Sequence, residues 1–494
     1  MGIIKRQGFK SSLLTYIGAA IGVFSTLFIY TQYKDLYGLY QFLFTTASLL
    51  SPFVGLSAAS LAVRYHPHNQ EDSKAYKGLL TFLLILTLLG SLIFLGLAGI
   101  LKDTFFALFV QSGDDPLFQK YVYWAVPMAV VVTLNGMLTT YISNYGRIVV
   151  PEIAGRFWYK IGLPVLILLA VARWITIDQF VIGVMVMLVM TTCVLLGYMI
   201  SLKAINLKWP AFLKDAYRRK DMAVYGLFAI LNALSGQLAL RIDTLMITKM
   251  VDLTATGAYN ILLFLINIMV IPSDSINRIS GPIISRSLTL NDLAEVKRIY
   301  QRSSLILLTA GLAVFPLIVL NISDLITLLP KSEEFQGFFL IVVFLGLAKV
   351  FDMTTSVNGQ IIAYSKYFRF NLYILIVLAI LNIFFNWLFI SSMGAAGAAL
   401  ATLVSLSLFN LIKLFYIKYR FNMQPFTPAT LKVTALAGLA FGAAFILPST
   451  GHSIADMAIR TIVFLGLFGG PVYALKLVPQ ANDLILQIWK RIRK

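Results

Sequence analysis

Apolar runs of about twenty residues, separated by short polar or glycine-containing segments, follow one another along most of the chain. As α-helices, runs of that length match the hydrocarbon thickness of a bilayer. They predict about fourteen spans, at 9–31, 38–63, 78–101, 121–142, 156–172, 179–202, 223–248, 257–277, 302–321, 336–362, 370–391, 395–417, 430–447 and 457–477. The largest intervening segments, 102–120, 203–222 and 278–301, are too short to hold a folded domain outside the membrane. Runs of this length do not fit the alternating ten-residue pattern of an outer-membrane barrel. The predicted fold class is all-α, a polytopic membrane protein of about fourteen helices.

The informative positions are the polar ones inside these runs. Gln237, Arg241, Thr244 and Thr248 recur at i, i+4, i+7 and i+11, which places them on one helix face. Asp243 lies about 200° around the axis from Arg241 and must find its partner elsewhere. A charge at the bilayer centre costs roughly 2.5–3.5 kcal/mol on insertion scales, so such residues face a bundle interior or a wet cavity. Lys349, Asp352, Ser356 and Gln360 make a second stripe in the tenth span. The eighth span offers Asn260, Asn267, Asp274 and Arg278, the fourth Asn135, Thr139 and Ser143, and the eleventh Asn371, Asn382 and Asn386.

Arg241 and Lys349 are the deepest basic residues in this layout. Facing one cavity, they would form a cationic site for a phosphate or diphosphate, the guanidinium as a fork and the ammonium as a point charge. Gln237, Asn260, Asn267, Gln360 and Asn135 complete the candidate substrate-contacting set. Asp243, Asp274 and Asp352 are candidates for ion coupling or for structural pairing. The competing structural reading pairs Arg241 permanently with Asp274 or Asp352, or Lys349 with Asp352. It gives the asparagines to hydrogen bonds between helices.

An internal repeat supports a two-part architecture. Gly38-Leu-Tyr40-Gln41 and Gly257-Ala-Tyr259-Asn260 each open an even-numbered span, and the same shift carries Gln41, Ser48 and Gly55 onto Asn260, Asn267 and Asp274. Spans 1–6 and 7–12 are then parallel copies, an arrangement suited to a transporter with a midplane site. The predicted divisions are 1–221, 222–425 and 426–494, two pseudo-symmetric six-helix lobes followed by two extra helices and a basic amphipathic tail over 484–494.

Composition agrees. Of 494 residues, 59% are hydrophobic and only 12% charged, far below the charge of a soluble protein this size. The net charge of +19 comes from 40 Lys and Arg set mainly at span edges, which points to orientation and anionic headgroups rather than nucleic acid. With the N-terminus in the cytoplasm, roughly thirty of these fall inside, including the segment 413–432, and an even span count puts both termini there. The single cysteine, Cys193, is expected to be an inert core thiol.

Other chemistry is not supported. His66-Pro-His68 lacks further ligands for a metal. Asp114-Asp115 runs into Pro116 and reads as a turn. No G-x-x-x-x-G-K-[ST] loop is present, so no nucleotide-driven motor is built in. No cofactor and no enzymatic activity are expected, and energy would come from an ion gradient, the membrane potential or the substrate's own gradient.

Ser392-Met-Gly394-Ala-Ala-Gly397-Ala-Ala-Leu-Ala401-Thr402, Arg241-x-Asp243, the paired Gly-x-Tyr openings and Arg64 after Gly55-Leu-Ser-Ala-Ala-Ser-Leu-Ala carry a resemblance to a known group. The chain resembles the multidrug/oligosaccharidyl-lipid/polysaccharide exporter superfamily, specifically its Wzx-like polysaccharide (O-antigen type) flippases. That resemblance implies a V-shaped central cavity between two lobes, a lipid-tail groove near the last two spans, and alternating access. The implied substrate is a polyprenyl-diphosphate-linked oligosaccharide bound for the cell surface across a bacterial cytoplasmic membrane. Implied partners are membrane lipids, an H+ or Na+ counter-ion and polysaccharide-assembly proteins. The chain departs from the lipid II flippase branch, because its first span carries no arginine, with Gly22 or Ser25 at that depth. A cation-coupled multidrug exporter of the same superfamily is the alternative, kept open by Asp243, Asp274 and Asp352 and opposed by Arg241 and Lys349.

Overall fold

The structure is a computed structural model and describes residues 17, 18, 20–71, 78–102, 116–145, 147, 149–205, 207–328 and 339–479. Secondary structure among them is wholly helical. Among the described residues eleven helices are long and apolar enough to cross a membrane, and two bent pairs, each counted as one span, bring the number to thirteen. The first expected span is represented by the shorter apolar helix α1 (Ala20–Tyr30). The amphipathic tail expected at 484–494, the acidic pair Asp114-Asp115 and most of segment 102–120 lie outside the described residues.

Two compact units divide at residues 260 and 261. In the first, α2 (Lys34–Gly55), α3 (Ala58–Glu71), α4 (Leu79–Ile100), α5 (Ala125–Ser143), α6 (Trp158–Val171), α7 (Ile177–Ser201) and α8 (Ala216–Met250) are followed by the opening turns of α9 (Leu253–Asn267). Its core joins Leu61 and Tyr65 of α3, Leu79 and Leu83 of α4, Met137 and Tyr141 of α5, and Leu195 and Met199 of α7. The α7 start is fixed by reciprocal bonding, Thr176 Oγ1 accepting from Gln179 N–H while Gln179 Oε1 accepts from Thr176 N–H.

The second unit continues with α10 (Ile271–Thr289), α11 (Leu293–Thr327), α12 (Phe339–Thr355), α13 (Asn358–Tyr364), α14 (Phe368–Met393), α15 (Ala395–Phe421), α16 (Pro428–Phe445) and α17 (Ser453–Ala474). Val433, Ala437, Ala440 and Ala444 of α16 pack with Phe464 and Phe468 of α17 against Leu320 of α11. Across the same contact Arg460 donates to Asp324 at 2.6 Å, an ion pair inside two apolar helices. Gly394 ends α14 at φ 55°, ψ −136°, backbone that an L side chain resists, so the chain reverses directly into α15.

Four expectations are corrected. The segment 278–301 is not a loop, since α10 runs to Thr289 and α11 starts at Leu293, and 203–222 loses its last seven residues to α8. Helices extend because polar sequence beyond the bilayer still propagates an existing helix. Lys413, placed in an inner segment from sequence, is buried within α15, with only 6% of its surface exposed. Cys193 is exposed on α7 rather than buried in a core. Finally, Ser356 and Gln360 do not continue the α12 face. The helix stops at Thr355, Ser356 takes φ 52°, and α13 departs at 47°.

Candidate functional site

Arg241 is half-buried on α8. Its Nε donates to Gln237 Oε1 at 2.9 Å, one turn back, and its guanidinium lies 5.6 Å from the Phe44 ring centroid on α2. Among the described residues no carboxylate pairs with it; the Asp274 and Arg278 side chains lie outside them. Phe44 ends a ladder of rings: Tyr30 and Tyr37 are 4.2 Å apart, Tyr37 and Tyr40 6.4 Å, Tyr40 and Phe44 5.8 Å. Gln41 Nε2 donates to Tyr37 Oη at 2.7 Å beside it. An arginine held by an amide and a ring keeps its charge uncompensated, and so keeps its capacity for an anion.

Asp243 and the C-terminal part of the Arg241 stripe are closed against α9. Asp243, 6% exposed, accepts from Tyr259 Oη at 2.8 Å. Thr244 donates to Asn260 Oδ1 at 3.3 Å, Asn260 Nδ2 donates to Thr256 O at 2.9 Å, and Thr248 meets Thr256 at 2.9 Å. These residues seam α8 to α9. Asn135 does the same work between α5 and α7, donating to Leu188 O at 2.9 Å and accepting from Thr192 at 2.7 Å. Asn267 is exposed at the end of α9.

The repeat residues meet one another. A Cβ on Gly38 would sit 2.0 Å from Leu253 O, and one on Gly257 2.2 Å from Lys34 O. Thr254 donates to Asp35, a pair 219 positions apart, which is the spacing of the repeat itself. The two Gly-x-Tyr openings are therefore the two sides of one close helix crossing.

In the second unit, Asp352 keeps different company from that expected. It accepts from Asn410 Nδ2 at 2.9 Å. Asn410 Oδ1 accepts in turn from Thr355 at 3.0 Å and Asn358 at 3.2 Å, across the α12–α13 break. Lys413, one turn along α15, is within electrostatic reach of Asp352 and 4.1 Å from the Phe409 ring. Lys349 is half-buried on α12 and makes no ion pair with Asp352 among the described residues. Gln360 Nε2 donates to Asn277 O at 2.8 Å. Sequence reading missed Asn410 and Lys413. Their i, i+3 spacing was visible, but a lysine near a span end reads as an edge residue. Among the described residues no group of three or more His, Cys, Asp or Glu could hold a metal.

No family model matches the sequence, and no curated protein sequence matches it. Solved structures do match. The lipid II flippase MurJ in an inward closed conformation is 13% identical, with TM-score 0.69 over 95% of this chain and 99% of that one. An inward-facing multidrug resistance MATE family transporter of the MOP superfamily is 14% identical, with TM-score 0.64 over 83% and 94%. A MOP superfamily transporter from Pyrococcus furiosus, distinguished by the reverse polarity of its binding pocket, is 13% identical, with TM-score 0.58 over 85% and 95%. These are flippases and transporters rather than enzymes, and at such identity the likeness establishes the fold: a multi-pass helical membrane protein with the architecture of MOP-superfamily transporters.

Proposed function

We propose that the chain is a flippase carrying a polyprenyl-diphosphate-linked oligosaccharide across a bacterial cytoplasmic membrane by alternating access, for cell-surface polysaccharide assembly. The observation that carries this reading is Arg241, a half-buried guanidinium with an amide and a ring for company and no carboxylate partner among the described residues. A diphosphate supplies the missing counter-charge in forked geometry. Lys349 is proposed as a second cation for the head group, and Gln237, Asn267 and Gln360 as further polar contacts of the substrate. Asn260 and Asn135 belong to this set less directly, through the seams they hold. The repeat division into 1–221, 222–425 and 426–494 and the placement of both termini in the cytoplasm belong to the same proposal, as do an H+ or Na+ counter-ion and polysaccharide-assembly partners. Asp352, with Asn410 and Lys413, is our candidate for cation coupling, ahead of Asp274. Asp243 is assigned to structural pairing.

A second reading, a cation-coupled multidrug exporter, draws on the likeness to MATE transporters and on Asp352. In a strain whose surface polysaccharide depends on this chain, Arg241→Ala should abolish the polysaccharide at unchanged protein level. Arg241→Lys should restore part of it. Unchanged polysaccharide in Arg241→Ala would remove Arg241 from the mechanism. A deletion that raises drug susceptibility and leaves polysaccharide intact would favour the second reading.

A further inference from the structure

The second unit holds a polar pocket of about 320 Å³ that the flippase reading does not use. Its walls are the last turn of α10, the turn into α11, the α13–α14 turn and the end of α15. Two cations line it, Lys366 and Arg420, with no acidic residue among the lining side chains. Thr289 and Ser365 add hydroxyls.

Both cations are held by rings rather than neutralised. Arg420 lies 5.1 Å from the ring centroids of Tyr367 and Tyr419 and 5.9 Å from Tyr416. Lys366 lies 5.3 Å from Tyr367. Neither forms an ion pair with a carboxylate among the described residues. Nearby acids are already engaged: Asp292 accepts from Glu295 N–H at 3.0 Å as the cap of α11, and Glu295 bridges Arg298 at 2.7 Å. Cation–π contacts orient a guanidinium without cancelling its charge, so the pocket presents two directed positive groups.

Its setting selects the kind of anion. Tyrosines and basic residues together at helix ends mark the membrane–water interface, and basic pockets between spanning helices bind lipid head groups. Apolar residues flank the pocket in the open, Leu290 at 66% exposure and Phe368 at 56%, where acyl chains would cover them. A soluble anion has no use for that apolar border. We infer that this pocket is a head-group site for an anionic phospholipid, the phosphodiester held between Lys366 and Arg420 and the chains running past Leu290 and Phe368. This proposal does not depend on what the protein transports.

The test uses the purified full chain in detergent, with phosphatidylglycerol, phosphatidylcholine and soluble glycerol phosphate as probes and thermal stabilisation and retained lipid as readouts. Phosphatidylglycerol should stabilise the protein and the other two should not. The double variant Lys366→Gln/Arg420→Gln should weaken the apparent affinity on the order of 10-fold or more. The charge-keeping double variant Lys366→Arg/Arg420→Lys should retain most binding, which guards against a folding artefact. Lys418→Gln removes an exposed cation of the same helix end, bonded to Asn422 at 3.1 Å, and should leave binding intact. Equal binding of phosphatidylglycerol by the Gln double variant would overturn the assignment. So would a loss from Lys418→Gln as large as that of the double variant, or stabilisation by glycerol phosphate matching that by the lipid.

Discussion

Asp243 and Arg241 stand two residues apart on α8 and meet opposite fates. The carboxylate is buried against the Tyr259 phenol, while the guanidinium is half-buried beside Gln237 and Phe44. Hydrogen bonds between membrane helices are modest in net worth, because the separated helices also find partners, yet removing one partner of a buried bond costs more than that net worth. Tyr259→Phe should therefore lower stability by about 1–2 kcal/mol, read as a lower unfolding temperature in detergent, while transport per folded molecule is retained. A large loss of transport without loss of stability would instead give Asp243 a working role. The helical wheel made the divergence of these two side chains legible, since 100° per residue fixes direction. It could not name Tyr259, or the Asn410 that holds Asp352, because a wheel gives a bearing and never a neighbour. The i, i+3 reading of Lys349 with Asp352 failed for that reason.

Among elements, the crossing of α2 with α9 is the most constrained. Gly38 and Gly257 each place a hydrogen where a methyl would strike the other helix's backbone, at Leu253 O and Lys34 O. Backbone has no rotamer with which to yield, so Gly38→Ala and Gly257→Ala should each destabilise by roughly 1–3 kcal/mol. The double variant should cost less than the two added together, because the first methyl already parts the helices that the second would part. That coupling, on the order of 0.5–3 kcal/mol, is measurable in a double-mutant cycle of thermal shifts, and strict additivity would show that the two glycines relieve separate contacts. The paired glycines were legible as sequence because this contact needs glycine on both of its sides. The bends were not. Leu56 and Ser57 at the α2–α3 break and Ser356 at the α12–α13 break all have positive φ without being glycine, so no residue signal marks the turn. Such backbone is sparsely populated and is stabilised only by its surroundings, here the Thr355–Asn410–Asn358 bonds across the second break.

At the scale of the molecule, the distribution of charge and the path of the chain make one joint claim that labelling can check. Short segments rich in Lys and Arg remain in the cytoplasm, so an even span count, as proposed, would fix every turn's side once one is known. The α6–α7 turn should then be external and the segment before α8 internal. Each offers a well exposed tryptophan, Trp174 at 79% and Trp209 at 74%. Cys193, exposed on α7, must first be replaced by serine to give a silent background. Trp174→Cys should then react with a membrane-impermeant maleimide in intact cells. Trp209→Cys should react only after permeabilisation. The reverse pattern would invert the whole chain, moving the basic segments to the outside against the insertion bias. Labelling of both in intact cells would mean that α7, the helix between the two positions, does not cross. The alternatives are that sharp because α7 alone separates the two positions, and its 25 residues exceed the roughly 20 that cross a bilayer.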